Sequence, residues 1–150
     1  MGRILINMMR YLFFVLTVVL FTGGFMFAEE STPYNSDLDY AQVLHVAAEK
    51  ETSGGWSFSV KVRHADTGWD HYANLWEVVD TETGEVLGSR ELLHPHVNEQ
   101  PFIRSLNGVA IPEAVEQVAV RARCNQHGFE GKQVVVDLSQ ESGDDFTVSR

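Results

Sequence analysis

The residues of this sequence that could do chemistry are six histidines and a single cysteine. Cys124 and His127 lie three positions apart in the run CNQHG, where Gly128 allows the backbone to reverse directly after them. Two ligands on such a turn can hold one ion. A thiolate combined with imidazoles suits Fe(II), Cu or Zn, whereas Ca²⁺ and Mg²⁺ prefer oxygen ligands. The turn therefore predicts a transition-metal site.

A second pair of candidate ligands is formed by His94 and His96, which flank Pro95. Side chains at positions i and i+2 of an extended segment point the same way, so both imidazoles can reach one partner. The proline stiffens this segment and lowers the cost of ordering it. A simpler interpretation stays open, in which the histidines are turn and hydrogen-bonding residues of a polar loop rim.

The elements that must position these residues are strands. Residues 56–62 (WSFSVKV) place Trp56, Phe58, Val60 and Val62 on one face, and this period of two is typical of a half-buried strand. Further strand candidates are residues 41–48, 72–79, 85–93, 102–109, 118–123 and 132–138, with a hairpin turn at 80–84. Seven short strands predict an all-β domain over residues 41–138, an immunoglobulin-like or fibronectin-like antiparallel β-sandwich.

Strand direction predicts where the candidate ligands meet. If consecutive strands run antiparallel, their connections alternate between the two ends of the sandwich. The connections after the second, fourth and sixth strands then lie at the same end. That end collects the predicted metal ligands His64, His71, His94, His96, Cys124 and His127. His45, in the middle of the first strand, stays outside the set.

The two termini are predicted to flank this domain. Residues 1–28 combine a cationic head, an apolar run and small residues, which is typical of a cleaved secretory signal peptide. The stretch 11–28 is 18 residues long, so an uncleaved membrane anchor is the alternative. Residues 29–40 predict a flexible lead-in, and residues 139–150 predict a mobile acidic tail. We therefore expect a periplasmic or secreted protein, without stable membrane association if the leader is cleaved and membrane-anchored if it is not.

Charge and cysteine content exclude several classes of protein. The chain has 11 Lys and Arg against 21 Asp and Glu, a formal net charge of −10. Such a surface repels phosphate backbones and the sequence has no basic patch, so we expect no nucleic-acid partner. One cysteine cannot form an internal disulfide, which excludes a small disulfide-stapled scaffold. A G-x-S-x-G nucleophile motif is also missing from the sequence, so a serine hydrolase is not indicated.

The run CNQHG resembles the C-N-x-H-G motif of superoxide reductase and of the iron-binding domain of desulfoferrodoxin. That family has an immunoglobulin-like sandwich in which four histidines and an axial cysteine hold one iron. Residues 60–64 and 70–78 more loosely resemble the family's V-x-V…HP…EHxIxWIxV stretch. The resemblance covers about residues 49–128 and implies that His64, His71, Cys124 and His127 are iron ligands. It also implies an open coordination position and superoxide reduction.

The sequence departs from this family pattern in two places. The family's two loop histidines are six positions apart, whereas His64 and His71 are seven apart. The family's E-K-H run, which supplies another histidine, corresponds to residues 49–51 (EKE), where the histidine is missing. His94 or His96 would have to replace it, which would make a different site.

Two other interpretations stay open beside an iron site. Cupredoxins are β-sandwiches with a C-x-x-H turn followed by an axial methionine, but all four methionines here lie within residues 1–28, so copper would need Gln126 or a carbonyl oxygen. A non-enzymatic binding or assembly module would instead use Trp69, Phe102 and Phe129 as an apolar platform. The sequence thus predicts bound iron first, with copper or zinc as alternatives, and a redox or protein partner of unspecified kind.

Overall fold

The structure is a computed structural model that describes residues 31–150, so the predicted leader, residues 1–28, lies outside the described residues. The described chain is all-β. Its strands are β1 (Gln42–Lys50), β2 (Trp56–Arg63), β3 (Ala73–Asp80), β4 (Val86–Glu91), β5 (Phe102–Val109), β6 (Gln117–Cys124), β7 (Val134–Asp137), β8 (Ser142–Gly143) and β9 (Phe146–Ser149). Within this part of the chain no helix is long and apolar enough to cross a bilayer.

Two sheets enclose one hydrophobic core. The first has the strand order β5-β2-β1-β9-β8, and the second has the order β4-β3-β6-β7. In β2 the alternating residues Trp56, Phe58, Val60 and Val62 are buried, while the residues between them are partly exposed. These side chains share a single core cluster with Trp76 of the other sheet. The predicted all-β sandwich is therefore confirmed, with nine strands where the sequence analysis predicts seven.

The two additional strands lie in the acidic tail, for which the sequence analysis expects mobility. Strand β9 pairs parallel with β1, joining Val46 to Phe146 and Ala48 to Val148, and β8 pairs with β9. Val148 is buried and Phe146 packs against the core. The tail is ordered in this way because its alternating apolar residues cover a strand edge that would otherwise be unpaired.

The lead-in forms no regular element over residues 31–40, yet its polar groups are hydrogen-bonded to the domain. The hydroxyl of Thr32 accepts a hydrogen bond from the amide of Gln133 (2.7 Å), and the hydroxyl of Ser31 accepts one from the amide of Val135 (2.8 Å). The carbonyl of Leu38 accepts one from the amide of Ala65 (2.8 Å). The lead-in therefore covers part of the β7 edge and reaches the connection between β2 and β3.

Strand pairing sets the two ends of the sandwich. The last residues of β2 lie beside the first residues of β5, and Ala73 at the start of β3 pairs with Cys124 at the end of β6. We call this the ligand end; it comprises the connections 64–72, 92–101 and 124–128. The hairpin turn at Asp80 lies at the far end of β3, and we call that the hairpin end. Antiparallel alternation thus brings the predicted ligand loops together.

Candidate metal centre

The turn that follows β6 holds the only cysteine of the chain. The amide of Cys124 donates to the carbonyl of Gly128, and the amide of Gly128 donates to the carbonyl of Cys124, both at 2.9 Å. Gly128 closes this turn with φ +66°, a left-handed conformation that favours glycine. The side chain of Cys124 is buried. Its sulfur accepts a hydrogen bond from the amide of Gln126 (3.4 Å) and lies 3.6 Å from Nδ1 of His127.

His64 directly follows β2 and is fixed by a buried carboxylate. Its Nδ1 lies 2.6 Å from Oδ1 of Asp66, and both side chains are fully buried. Its Nε2 is 3.0 Å from the carbonyl oxygen of Asp39. A carboxylate that engages one ring nitrogen fixes the tautomer and aims the other nitrogen, as it does for many metal-binding histidines.

Asp66 joins its own connection to the start of β3 and to the connection 92–101. Besides His64, it accepts the amide of Ala73 on Oδ1 (3.0 Å) and the amide of His96 on Oδ2 (2.6 Å). Burial alone would raise the pKa of Asp66, but the hydrogen bonds from His64, His96 and Ala73 outweigh it and hold that pKa below its usual range. The carboxylate is therefore a fixed negative charge beside the candidate ligands.

His71 carries a buried ring nitrogen that lacks a hydrogen-bond partner. Its ring meets the rings of His64 (centroids 4.7 Å apart) and His127 (5.1 Å) edge-on. Its backbone is held by hydrogen bonds to Gly68 and Thr67. Within residues 31–150, Nε2 of His71 has no partner. Because buried polar groups are nearly always paired, this nitrogen is a free ligand position.

These residues form a compact donor set of two imidazoles and one thiol. His64, His71 and Cys124 each offer one ligand atom, and the three atoms lie within 4.8 Å of one another. Metal–ligand bonds of about 2.0–2.3 Å place ligand atoms roughly 3–4 Å apart, so a small inward movement would close the set on one ion. His127 lies at its border, because its Nδ1 is 3.0 Å from the Asp39 carbonyl that also contacts His64.

The other two predicted ligands lie at the same end but outside this donor set. His94 is exposed. His96 is buried and stacks on Phe102 with ring centroids 3.9 Å apart, and its Nδ1 is 3.9 Å from Oδ2 of Asp66. Burial lowers the pKa of His96, and the charges of Arg104 and His94 lower it further. The lowered pKa favours the neutral form of His96, whose ring packs between Asp66 and Phe102.

Two groups of this site are missed by the sequence analysis. Asp66 lies two positions after His64, the same spacing that singles out His94 and His96, so that spacing could have identified it. No sequence pattern indicates that the backbone carbonyl of Asp39 contacts the site, because every residue has such a carbonyl. Its position depends on the path of the lead-in, which the ring of Tyr40 anchors edge-on to His127 (5.4 Å).

The aromatic platform that would support a binding module is only partly present. Trp69 is 66% exposed and contacts Tyr72 edge-on at 5.7 Å. Phe129 packs against the guanidinium of Arg121 (4.3 Å). Phe102, however, is buried beneath His96, so it is not part of any surface.

Comparison with known proteins gives one informative relative. No protein-family model matches the chain, and no solved structure matches it. A protein of Halomicrobium mukohataei named "Putative lipoprotein" is 40% identical over 116 residues, which is 77% of this chain and 55% of the relative. The chain thus spans about half the length of the curated relative that it matches.

Proposed function

We propose that this protein binds one transition-metal ion at the ligand end through His64, His71 and Cys124, with His127 as the nearest further imidazole. The carrying observation is the buried Nε2 of His71, which has no partner within residues 31–150 although a second imidazole and a thiol lie beside it. The Asp66 carboxylate supports the proposal in two ways. It aims His64, and its negative charge favours a cation nearby.

Metal binding would change the contacts of one backbone group. The carbonyl of Asp39 lies 3.0 Å from both His64 Nε2 and His127 Nδ1. If these nitrogens bound the ion, they would exchange this contact for the metal. The carbonyl oxygen would then be released or would become a further weak ligand. The lead-in segment next to Tyr40 is therefore expected to shift when an ion binds.

The finer proposal is that the ion is iron and that the site reduces superoxide. Soft thiolate with imidazole donors is a set suited to Fe(II), Cu or Zn. Iron comes first because the CNQHG turn and both loop histidines of the resemblance are the residues that converge here. Three or four protein ligands leave a coordination position for a small molecule. An external one-electron donor would be needed to return the iron to its ferrous state.

The test is metal analysis of the purified protein after anaerobic reconstitution with Fe(II), Zn(II) or Co(II). We expect about one ion per chain and, with Co(II), a thiolate charge-transfer band that Cys124→Ser abolishes. His71→Ala should lose the ion as well, whereas His45→Ala, a matched histidine variant on β1, should retain it. Finding no bound metal, or an unchanged band in Cys124→Ser, contradicts the proposal.

Superoxide reduction is tested separately on the iron-loaded protein. We expect consumption of superoxide by the wild type and by His45→Ala, and none by Cys124→Ser. Stoichiometric metal binding without superoxide consumption would overturn the redox proposal and leave the metal proposal intact.

We also propose that the protein is exported and associated with a membrane. The support is the leader-like composition of residues 1–28 and the relative named "Putative lipoprotein". The chain's only cysteine, Cys124, is fully buried in the ligand end, so it is not a site for lipid attachment. Cell fractionation tests export, because recovery of the whole protein in the cytoplasm contradicts it.

A further inference from the structure

We infer a second ligand site on the outer face of the β4-β3-β6-β7 sheet, which takes a free α-amino acid with an apolar side chain. The site is a cavity of about 330 Å³ whose lining includes Tyr72, Asn74, Leu75, Glu91, Leu93 and Arg123. That volume is at the small end of the range for ligand pockets, about 300–1,000 Å³. The inference is independent of the metal proposal, since it uses none of the metal donors.

Two opposite charges face this cavity without neutralising each other. Leu75 of β3 pairs with Glu91 of β4 on one side and with Arg123 of β6 on the other. Within the described chain neither the Glu91 carboxylate nor the Arg123 guanidinium forms an ion pair or a side-chain hydrogen bond. Their neighbour Arg121, by contrast, is paired with Glu77 at 2.9 Å. A zwitterion could satisfy both free charges at once.

The spacing of the two charges suits a ligand with its charges close together. Strands two positions apart in a sheet are separated by roughly 9–10 Å, and side chains stand nearly perpendicular to the sheet. Two charge-assisted hydrogen bonds of about 2.8 Å each leave roughly 4 Å between the ligand's charged groups. In an α-amino acid, bonds of about 1.5 Å at the α-carbon and of about 1.2 Å to oxygen place the ammonium nitrogen up to about 3.6 Å from the farther carboxylate oxygen, which is close to that separation.

Asn74 adds a second acceptor to the lining of this cavity. It occupies the β3 bulge between Ala73 and Leu75, where the register with β6 shifts, and bulges re-aim side chains. Its amide oxygen is buried and has no hydrogen-bond partner within residues 31–150. Asn74 and Glu91 thus supply acceptors to the cavity lining, and Arg123 supplies the donor. The apolar side chain of the ligand would then rest on Leu75 and on Leu93, which is 72% exposed.

The experiment is an NMR titration of the isotopically labelled protein with L-leucine. We expect saturable shifts of the amides around Leu75 and Arg123, in the presence and in the absence of metal. L-Leucinamide, which lacks the carboxylate, and N-acetyl-L-leucine, which lacks the ammonium, should each bind at least about tenfold more weakly, since each loses one charged hydrogen bond. Arg123→Gln and Glu91→Gln should weaken leucine binding by about the same factor.

Arg104→Gln is the matched control. This arginine lies on β5 of the other sheet and pairs with Glu99 at 3.1 Å, so its removal should leave leucine binding unchanged. The inference would be overturned if the shifts did not saturate up to about 10 mM leucine, because the dissociation constant would then lie above the millimolar range. Equal binding of all three compounds, or unchanged binding in Arg123→Gln, would overturn it as well.

Discussion

The two ends of the sandwich each bury an aspartate, but they satisfy it in different ways. At the hairpin end, Asp80 accepts hydrogen bonds from the amide of Glu82 (2.8 Å) and from the hydroxyl of Thr83 (2.8 Å), both within its own turn. At the ligand end, Asp66 accepts hydrogen bonds from His64 in its own connection, from Ala73 at the start of β3 and from His96 in the connection 92–101. The first aspartate closes only its own turn, whereas the second also ties its connection to another loop.

This difference supports the proposal that the ligand end binds an ion. The carboxylate of Asp80 is satisfied by residues of its own turn. The ligand end leaves Nε2 of His71 buried and unpaired beside a thiol, even though Asp66 itself is fully engaged. A buried polar atom without a partner costs free energy, so the unpaired Nε2 of His71 supports the proposed ion at this end.

The largest expected effect comes from removing the aspartate at each end. Asp66→Ala leaves Nδ1 of the buried His64 and the amides of Ala73 and His96 without their acceptor, and each such unsatisfied group costs about 1–3 kcal/mol of unfolding free energy. It should also weaken metal binding by about 10–100-fold, because the partner that aims His64 is lost. Urea unfolding and metal titration measure both effects.

Asp80→Ala is the control for that variant, since it removes a carboxylate bonded only within its own turn. We expect a smaller loss of stability and unchanged metal affinity. If Asp80→Ala weakened metal binding as much as Asp66→Ala does, the proposed contrast between the two ends would be wrong.

Metal loading should stabilise the protein through the ligand end alone. A ligand present at 100 times its dissociation constant adds about 2.7 kcal/mol to the unfolding free energy. We expect His71→Ala to lose this increment, because it removes the free nitrogen, and Asp80→Ala to keep it. Thermal unfolding with Zn(II) and then with a chelator measures the increment in each variant. An increment that survives in His71→Ala would mean that the ion binds elsewhere.

Much of the fold could be predicted from sequence because local patterns determine it. The alternation in β2 and the turn between Cys124 and Gly128 depend on neighbouring residues, and both form as the pattern indicates. The parallel pairing of β9 with β1 could not be predicted in this way. It depends on an edge of the sheet that exists only after the other strands have assembled.

The candidate site could be predicted only in part, for a related reason. Strand alternation brings the ligand loops to one end, but it does not fix the direction of each side chain. The i and i+2 rule puts the rings of His94 and His96 together, and their centroids are 4.5 Å apart, but this pair lies outside the donor set of His64, His71 and Cys124. The hydrogen bond from the amide of His96 to Asp66 and the stacking of His96 on Phe102 hold the pair in that place, and neither contact can be read from the spacing.

The two ends should also differ in their response to mild acid. Burial, with the charges of Arg104 and His94, lowers the pKa of His96 in the folded protein. The unfolded chain therefore binds a proton first as the pH falls below about 6.5, and stability decreases from there down through the lower folded pKa. We expect His96→Phe to flatten this part of the pH profile, measured by urea unfolding of the metal-free protein. His94→Gln, which changes the exposed neighbour, should flatten it less, and equal effects would contradict the assignment to His96.

The smallest expected effect is a change in stability at low pH when Asp80 at the hairpin end is replaced. Hydrogen bonds from the amide of Glu82 and the hydroxyl of Thr83 hold the pKa of Asp80 below its usual range. Its contribution to stability is present above the unfolded value of about 3.9 and is lost as the pH falls through the folded pKa. We expect Asp80→Asn to reduce the loss of stability below about pH 4 and to leave the profile between pH 5 and 7 unchanged. Because no histidine pairs with Asp80 within residues 31–150, a change near neutral pH in this variant would show that the two ends are coupled rather than independent.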